Sequence, residues 1–367
     1  LQADARWSSG RLGDADDGFL LRRARLVFDV STTSGWQLRL QPDFGRGRAL
    51  LQDGYVAWRG AVTRDSATTV EGRVGRFRPA FGVERTQSSA TLLFPERAIV
   101  NAFMPSRLSG AQVVVTRPRA VLAAGVYRAA DADVVVDTDG DPRGPAVGGR
   151  DAAARLLVRP WGTPTARPAP LELHAGAMLG HEEGTVDQPG LERFLTPAQR
   201  PALVYRDGGD SATTVLADGG RGRLAVGAQG AVGRLHLLAE AVRLHHRVRL
   251  GARDVRLAHD AWAVRATWLL RGVRGPDLDL RPARPSAGAV EFGARLAGAR
   301  FDEGAEPFVV RGSSRALLTG GLALGWVPRP GTRLGASWDV TRRTAGYAAA
   351  VRPTAAEHAF IVRVQQG

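Results

Sequence analysis

Apolar and polar residues alternate with a period of two along most of this chain, and the i, i+3, i+4 spacing of a helix is hard to find. In Leu1 to Ser8, Leu1, Ala3, Ala5 and Trp7 alternate with Gln2, Asp4 and Arg6. Phe19 to Val30 sets Ala24, Leu26, Phe28 and Val30 against Arg23, Arg25, Val27 and Asp29. After a turn-rich STTSG, Trp36, Leu38, Leu40 and Phe44 alternate with Gln37, Arg39, Gln41 and Asp43. Each segment predicts a strand with one apolar and one charged face. The same reading predicts strands at Leu51 to Gly60, Thr68 to Arg76, Ala111 to Thr116, Ala120 to Arg128, Ala152 to Arg159, Leu171 to Leu179, Arg221 to Gly230 and Val232 to His245. It continues at Ala258 to Arg271, Ala287 to Phe301, Ser313 to Trp326, Arg333 to Thr341 and Glu357 to Gln365.

The total is about sixteen strands, with short turns alternating with longer loops as in outer-membrane barrels. Ala129 to Arg150 reads as an exposed loop and Gly180 to Asp218 as a second long polar loop. Gly272 to Ser286 is a longer connection on what should be the short-turn side. The stretch Gly75 to Gly110 breaks the rhythm, because it is too long for a hairpin and carries Phe77, Phe81, Leu92, Leu93, Phe94, Phe103 and Met104. That content predicts a folded insertion packed against something, with Pro79 and Pro95 stiffening it and Gly75, Gly82 and Gly110 permitting its bends.

Which face is buried decides the architecture. A soluble sandwich hides its apolar faces, whereas a membrane barrel turns them to lipid and keeps a polar interior. Charged positions such as Arg73, Glu240, Arg265, Glu291, Arg295, Asp339 and Arg363 alternate with Leu, Val, Phe and Trp, and Trp36, Trp58, Trp262, Trp268, Trp326 and Trp338 fall in or at the ends of strands, where an interfacial girdle would sit. The expectation is an all-β, transmembrane antiparallel β-barrel of about sixteen strands, spanning residues 1–367 as one unit.

Composition adds a partner class. The net charge is +14, and all 50 basic residues are arginine. Arginine recurs singly with acids beside it rather than in blocks, so nucleic acid is not the expected partner and small anions are. No stretch reaches the roughly 18 uninterrupted apolar residues of a membrane helix. An exported bacterial protein fits the absence of cysteine. The strand pattern begins at Leu1 without a visible signal peptide, so the expectation is a sequence that starts after processing or trimming.

Enzyme chemistry is not expected. Without lysine there is no phosphate-cradling GxxxxGK sequence, and His245 and His246, adjacent on a strand, point to opposite faces and do not ligate one metal. His181-Glu182-Glu183 lacks the second histidine of a zinc-protease helix. No cofactor is expected.

The run VGRFRPAFGVERTQSSATLLFPERA followed by MPSRLSGAQV resembles the signature of the phosphate-selective porin O/P family. DGFLLRRARL, LLQDGYVAW, TWLLRG with GAVEFGARL, WVPRPGTRLGASW and EHAFIVRVQ resemble further strands of that family. The resemblance implies a sixteen-stranded, usually trimeric barrel of the bacterial outer membrane, in which residues 75–110 form an inward-folded third loop that narrows an anion-selective pore. Lysine, which family members often use in the anion site, is absent here, so phosphate and chloride both stand as candidate ions. The chain ends on Gln365-Gln366-Gly367 instead of an aromatic assembly signal.

Guanidinium is always charged and matches oxyanions bidentately, so a ladder of arginines admits anions through many weak sites. The expected pore residues are Arg78, Arg85, Arg97 and Arg107 in the loop and Arg22, Arg23, Arg25, Arg39, Arg59 and Arg73 on the wall. The competing role for each is an ion pair, with Glu84 and Glu96 positioned to pin the loop to the wall. Phe77, Phe81, Phe94 and Phe103 are expected to be packing that fixes the loop. Lipid and lipopolysaccharide would meet outward or loop arginines, and external loops could recruit envelope partners. A barrel kept as a scaffold in such an assembly, its pore closed by the loop, is the second reading.

Overall fold

The computed structural model describes residues 1–9, 17–47, 49–62, 67–128, 147–161, 169–275, 278–284, 287–347 and 356–367. Strands β1 (Gln2–Ser9), β2 (Gly18–Arg23), β3 (Phe28–Ser31), β4 (Trp36–Asp43), β5 (Leu50–Ala61) and β6 (Thr69–Phe77) precede the insertion. After it come β7 (Leu108–Arg117), β8 (Ala120–Arg128), β9 (Val147–Val158) and β10 (Glu172–Glu183). A ribbon of β11 (Phe194–Leu195) and β12 (Pro201–Leu203) separates these from β13 (Leu216–Val232), β14 (Leu235–Leu250) and β15 (Arg253–Arg271). A second ribbon, β16 (Val273–Arg274) with β17 (Leu280–Arg281), leads to β18 (Ala289–Arg300), β19 (Ser314–Arg329), β20 (Thr332–Gly346) and β21 (Glu357–Gln366).

Seventeen strands form one large antiparallel sheet. From β3 to β10, from β13 to β15 and from β18 to β21 strands adjacent along the chain pair with one another, β10 pairs with β13 and β15 with β18 across the ribbons, and β1 pairs with β2 on one side and β21 on the other. The count exceeds sixteen because the predicted strand Phe19 to Val30 is interrupted. Its middle still follows β4: Arg25 bridges Asp43, and the Phe44 amide donates to the Ala24 carbonyl at 2.9 Å. Within β2 the register against β1 steps from Ala3–Leu21 to Gln2–Arg23, leaving Arg22 as an extra residue. Such a bulge turns consecutive side chains to one face. Arg22 and Arg23 are both buried.

Three boundaries differ from the sequence reading. Arg150, expected in a loop, lies in β9, while residues 129–146 fall outside the described ones. The polar loop from Gly180 shrinks to residues 184–215, because β10 runs to Glu183 and β13 begins at Leu216. His181-Glu182-Glu183 is therefore strand, with Glu182 buried against Arg221. The connection after Arg271 is a folded ribbon: Leu280 packs with Leu269, Ala289 and Val327, and Arg274 reaches Glu291 at 3.1 Å.

The two faces of the sheet are chemically opposite. The exposed face carries Leu38, Val56, Val113, Leu122, Leu224, Val264, Leu296, Leu322 and Phe360, with all six predicted girdle tryptophans exposed among them. The covered face buries Asp4, Arg6, Arg223, Glu240, Arg265, Glu291, Arg295, Asp339 and Arg363. In water this arrangement would be unfavourable, since apolar area left exposed forfeits roughly 25 cal/mol per Å². Lipid removes that cost.

Candidate functional site

Residues 78–107 fold back over the covered face as two short 3-10 turns, Glu84–Thr86 and Ile99–Phe103, joined by irregular chain. Phe77, Phe81, Phe94 and Phe103 are at most 1 % exposed, so the aromatics of the insertion are packing. Phe77 meets the Tyr55 and Tyr127 rings edge-on at centroid distances of 6.0 Å each. Gly75 has a φ of 130°, and a Cβ there would run into the Gly54 carbonyl, so β6 requires glycine just before its end.

Charge then fixes the insertion in place. The Glu96 carboxylate accepts from Arg22 at 2.9 Å and from Arg6. Arg295 donates to the Glu96 carbonyl at 2.6 Å and stacks over Phe94 at 4.3 Å, while Arg363 donates to the Pro95 carbonyl at 2.8 Å. Four arginines from β1, β2, β18 and β21 thus hold one dipeptide. Glu84 accepts from Arg265 at 2.8 Å, from the Ala98 amide at 3.1 Å and from Asn101. In the reverse sense, Glu240 of β14 accepts from the Val83 and Glu84 amides. Burial pushes both loop carboxyls up, but opposite charge outweighs it. Arg265, Arg295 and Arg97 hold Glu84 below its ordinary value, and Arg6 and Arg363 do the same for Glu96.

The predicted pore arginines divide into groups. Arg78 and Arg97 both donate to the Gln87 carbonyl, at 3.3 and 2.7 Å, and Arg265 reaches the Gln87 side chain at 2.9 Å, so three guanidiniums gather on a neutral residue. Arg85 donates to the Pro105 carbonyl at 3.1 Å, and Arg107 pairs with Asp53 at 2.7 Å. Arg22 is held by Glu96, Arg23 by Gln2, and Arg25 by Asp43 at 2.6 Å. Arg39, Arg59 and Arg73 stand on β4, β5 and β6: Arg39 pairs with Asp29 at 2.9 Å and shares Asp53 with Arg107, at 3.7 Å, Arg73 pairs with Glu71 at 2.5 Å, and Arg59 is exposed. Glu84 and Glu96 do pin the loop, Glu84 on Arg265 and Glu96 on Arg6 and Arg22.

Sequence reasoning missed Arg6, Arg223, Arg265, Arg295 and Arg363 as loop-holding residues, although strand alternation had put Arg265, Arg295 and Arg363 on the charged face. It also missed a second segment that folds over the covered face. Residues 184–215 lie against the covered face, where Phe194 packs on Phe103 at 4.7 Å and on Phe301 at 5.0 Å. From Arg223 of β13, which donates to Glu192, this segment reaches Glu357 of β21, which accepts from Thr196, and Ser8 of β1, which accepts from Arg200 at 3.5 Å. Arg85, Arg97, Thr196 and Gln199 border a gap of about 30 Å³ between the two segments. Among the described residues no group of three or more His, Asp or Glu could hold a metal ion.

A family model described as phosphate-selective porin O and P matches residues 1–323. The chain belongs to that family. This porin is a channel protein of the bacterial outer membrane. Three solved structures resemble it across 100 % of its length. The outer-membrane channel DcaP of Acinetobacter baumannii has a TM-score of 0.60 at 10 % identity over 95 % of that chain. The anion-selective porin from Comamonas acidovorans has a TM-score of 0.58 at 11 % identity over 96 % of that chain. OmpT of Vibrio cholerae in its trimer form has a TM-score of 0.51 at 11 % identity over 97 % of that chain. At these identities the likeness speaks for the fold of the porin alone. No curated protein matches its sequence.

Proposed function

We propose that the sheet closes into one sixteen-stranded transmembrane barrel, with residues 75–110 turned inward as its constriction, and that the porin passively conducts small anions through an arginine-lined pore. The observation that carries this reading is the inversion of faces: arginine on the covered face, with leucine, valine and tryptophan on the exposed one. The pairing of β1 with both β2 and β21 supports closure. Inorganic phosphate and chloride are the ions that the guanidiniums suit, with Arg78, Arg97 and Arg265 gathered around Gln87 and Arg39, Arg59 and Arg73 along β4 to β6. The trimeric likeness supports a homotrimer, with lipid and lipopolysaccharide around it.

Reversal potentials in a chloride gradient across a planar bilayer test the proposal. Anion preference is expected, together with a reduced chloride current when phosphate is added. Cation preference would remove the reading, and chloride conduction without phosphate block would make the porin a general anion pore. A scaffold role with little conduction draws on a separate observation, the dry aromatic contact of Phe103 with Phe194 between the two inward segments. A silent bilayer with correctly folded protein would favour it.

A further inference from the structure

The second inward segment is attached to the wall by a directed chain of hydrogen bonds that the conduction reading leaves unused. The Asp302 amide can only donate, and it gives its proton to His259 Nδ1 at 3.0 Å. Neutral His259 therefore carries its hydrogen on Nε2, which faces the Tyr205 hydroxyl at 3.0 Å. Tyr205 Oη accepts there and donates onward to His246 Nε2 at 2.9 Å. The remaining His246 hydrogen, on Nδ1, points to Glu192 at 3.4 Å, and Glu192 also takes Arg223. One backbone amide thus fixes the roles of every member. Tyr205 and Glu192 belong to the segment; His246, His259 and Arg223 belong to β14, β15 and β13.

All of these side chains are buried. The groups facing the two imidazoles are Tyr205 and Glu192 from the segment, Arg223 from β13, and Asp302 with Tyr347 beside it. His245, on the same strand, faces the other way. His259, fixed by the Asp302 amide, sets the direction of the chain, and a proton added at His246 Nε2 removes the acceptor of the Tyr205 hydroxyl. That leaves a buried donor unsatisfied.

We propose that Tyr205, His246 and His259 are positioning residues that form a proton-sensitive latch, holding the second inward segment against the wall at neutral pH and releasing it in acid. Its consequence for transport, an anion path that depends on pH, rests on the conduction reading, but the latch itself can be read without any ion.

Hydrogen exchange of the detergent-solubilised porin, corrected for the intrinsic pH dependence of amide exchange, provides that readout. In the wild type, amides of residues 194–205 should exchange at least about fivefold faster after acidification from about pH 8 to about pH 5, the equivalent of losing one buried hydrogen bond. His246→Gln retains an acceptor without a titrating ring and should abolish the acid response while keeping the protection. Tyr205→Phe should show the fast exchange at both pH values, with amides of residues 99–103 serving as the folded control. Equal wild-type protection at both pH values, an acid response that persists in His246→Gln, or full protection in Tyr205→Phe would each overturn the latch. Bilayer currents recorded alongside separate the two questions, because a wild type without anion preference counts against the conduction reading while the exchange data still decide on the latch.

Discussion

The two inward segments cover the same face of one sheet by different physics. Residues 78–107 are held by carboxylates sunk among wall arginines: Glu96 between Arg6 and Arg22, and Glu84 on Arg265. Residues 184–215 are held mainly by an aromatic plug and a hydrogen-bond chain, with Phe194 on Phe103 and Phe301 and Tyr205 between two histidines, and by a single buried ion pair of Glu192 with Arg223. A buried ion pair is strong only while both partners keep their charge, and removing one leaves the other stranded. An aromatic contact is indifferent to pH and salt but sensitive to volume. The charge-pinned segment is therefore expected to be rigid, and the aromatic one to be the adjustable part.

The sharpest way to break this contrast is Glu96→Gln. Arg6 and Arg22 would keep their burial and lose their shared counter-charge, so docking of the first segment should weaken by about 3–5 kcal/mol. Hydrogen exchange of Ile99 to Phe103 should accelerate strongly while residues 194–205 change less. An equal response in both segments would show that they form one unit.

Phe194→Ala is the complementary cut. Its ring is fully buried, and its loss should cost about 3 kcal/mol of docking for the second segment, towards the low end for phenylalanine because a loop can partly collapse. Single-channel current should rise if that segment lies across the path, and the first segment should keep its protection. Loss of protection at Glu84 to Thr86 as well would place Phe103, rather than the arginines, as the first segment's main anchor.

Acid separates the two segments by pH window. Because the folded Glu84 and Glu96 carboxyls are held below their ordinary value, their contribution is complete above the unfolded pKa of about 4.3 and fades only as pH falls through the depressed folded values. The contacts made by Glu84 and Glu96 should therefore persist between about pH 8 and about pH 5, keeping residues 98–104 docked, and loosen below about pH 4. Release of residues 98–104 near neutral pH would contradict this assignment of charge.

The first segment could be read from the sequence because its signals are local: length, a cluster of phenylalanines and leucines between two regular strands, and arginines beside Glu84 and Glu96. Its partners could not, since Arg295 and Arg363 reach Pro95 and Glu96 only after strands far along the chain have come into register. The second segment was as long but read as a polar loop. Its apolar residues sit in two short groups, Leu191 with Phe194-Leu195 and Leu203 with Val204-Tyr205, separated by Pro, Gln and Arg, and what buries Phe194 and Tyr205 is Phe103, Phe301 and the histidines of β14 and β15. Strand alternation was readable throughout, but a bulge such as that at Arg22 breaks it without changing composition, which is why two consecutive arginines face inward.

The smallest effect sharpens the contrast from outside. On the same strand pair as His246 and His259, but on the opposite face, Arg243 pairs with Asp260 at 2.6 Å with both side chains largely exposed. This pair has the geometry of the buried ones without their surroundings. An exposed ion pair contributes roughly 0.2–1 kcal/mol, so Arg243→Ala should change the unfolding midpoint little and leave both inward segments protected. The small contribution should also fade in about 1 M salt, where screening acts over roughly 3 Å, while the Glu96 cluster, shielded from solvent, should keep its effect. Measured by thermal unfolding at low and high salt, Arg243→Ala should differ from the wild type only at low salt, and Glu96→Gln at both. If Glu96→Gln also became neutral in high salt, ions and water would be reaching the cluster, and the first segment would be a solvated loop rather than a charge-pinned one.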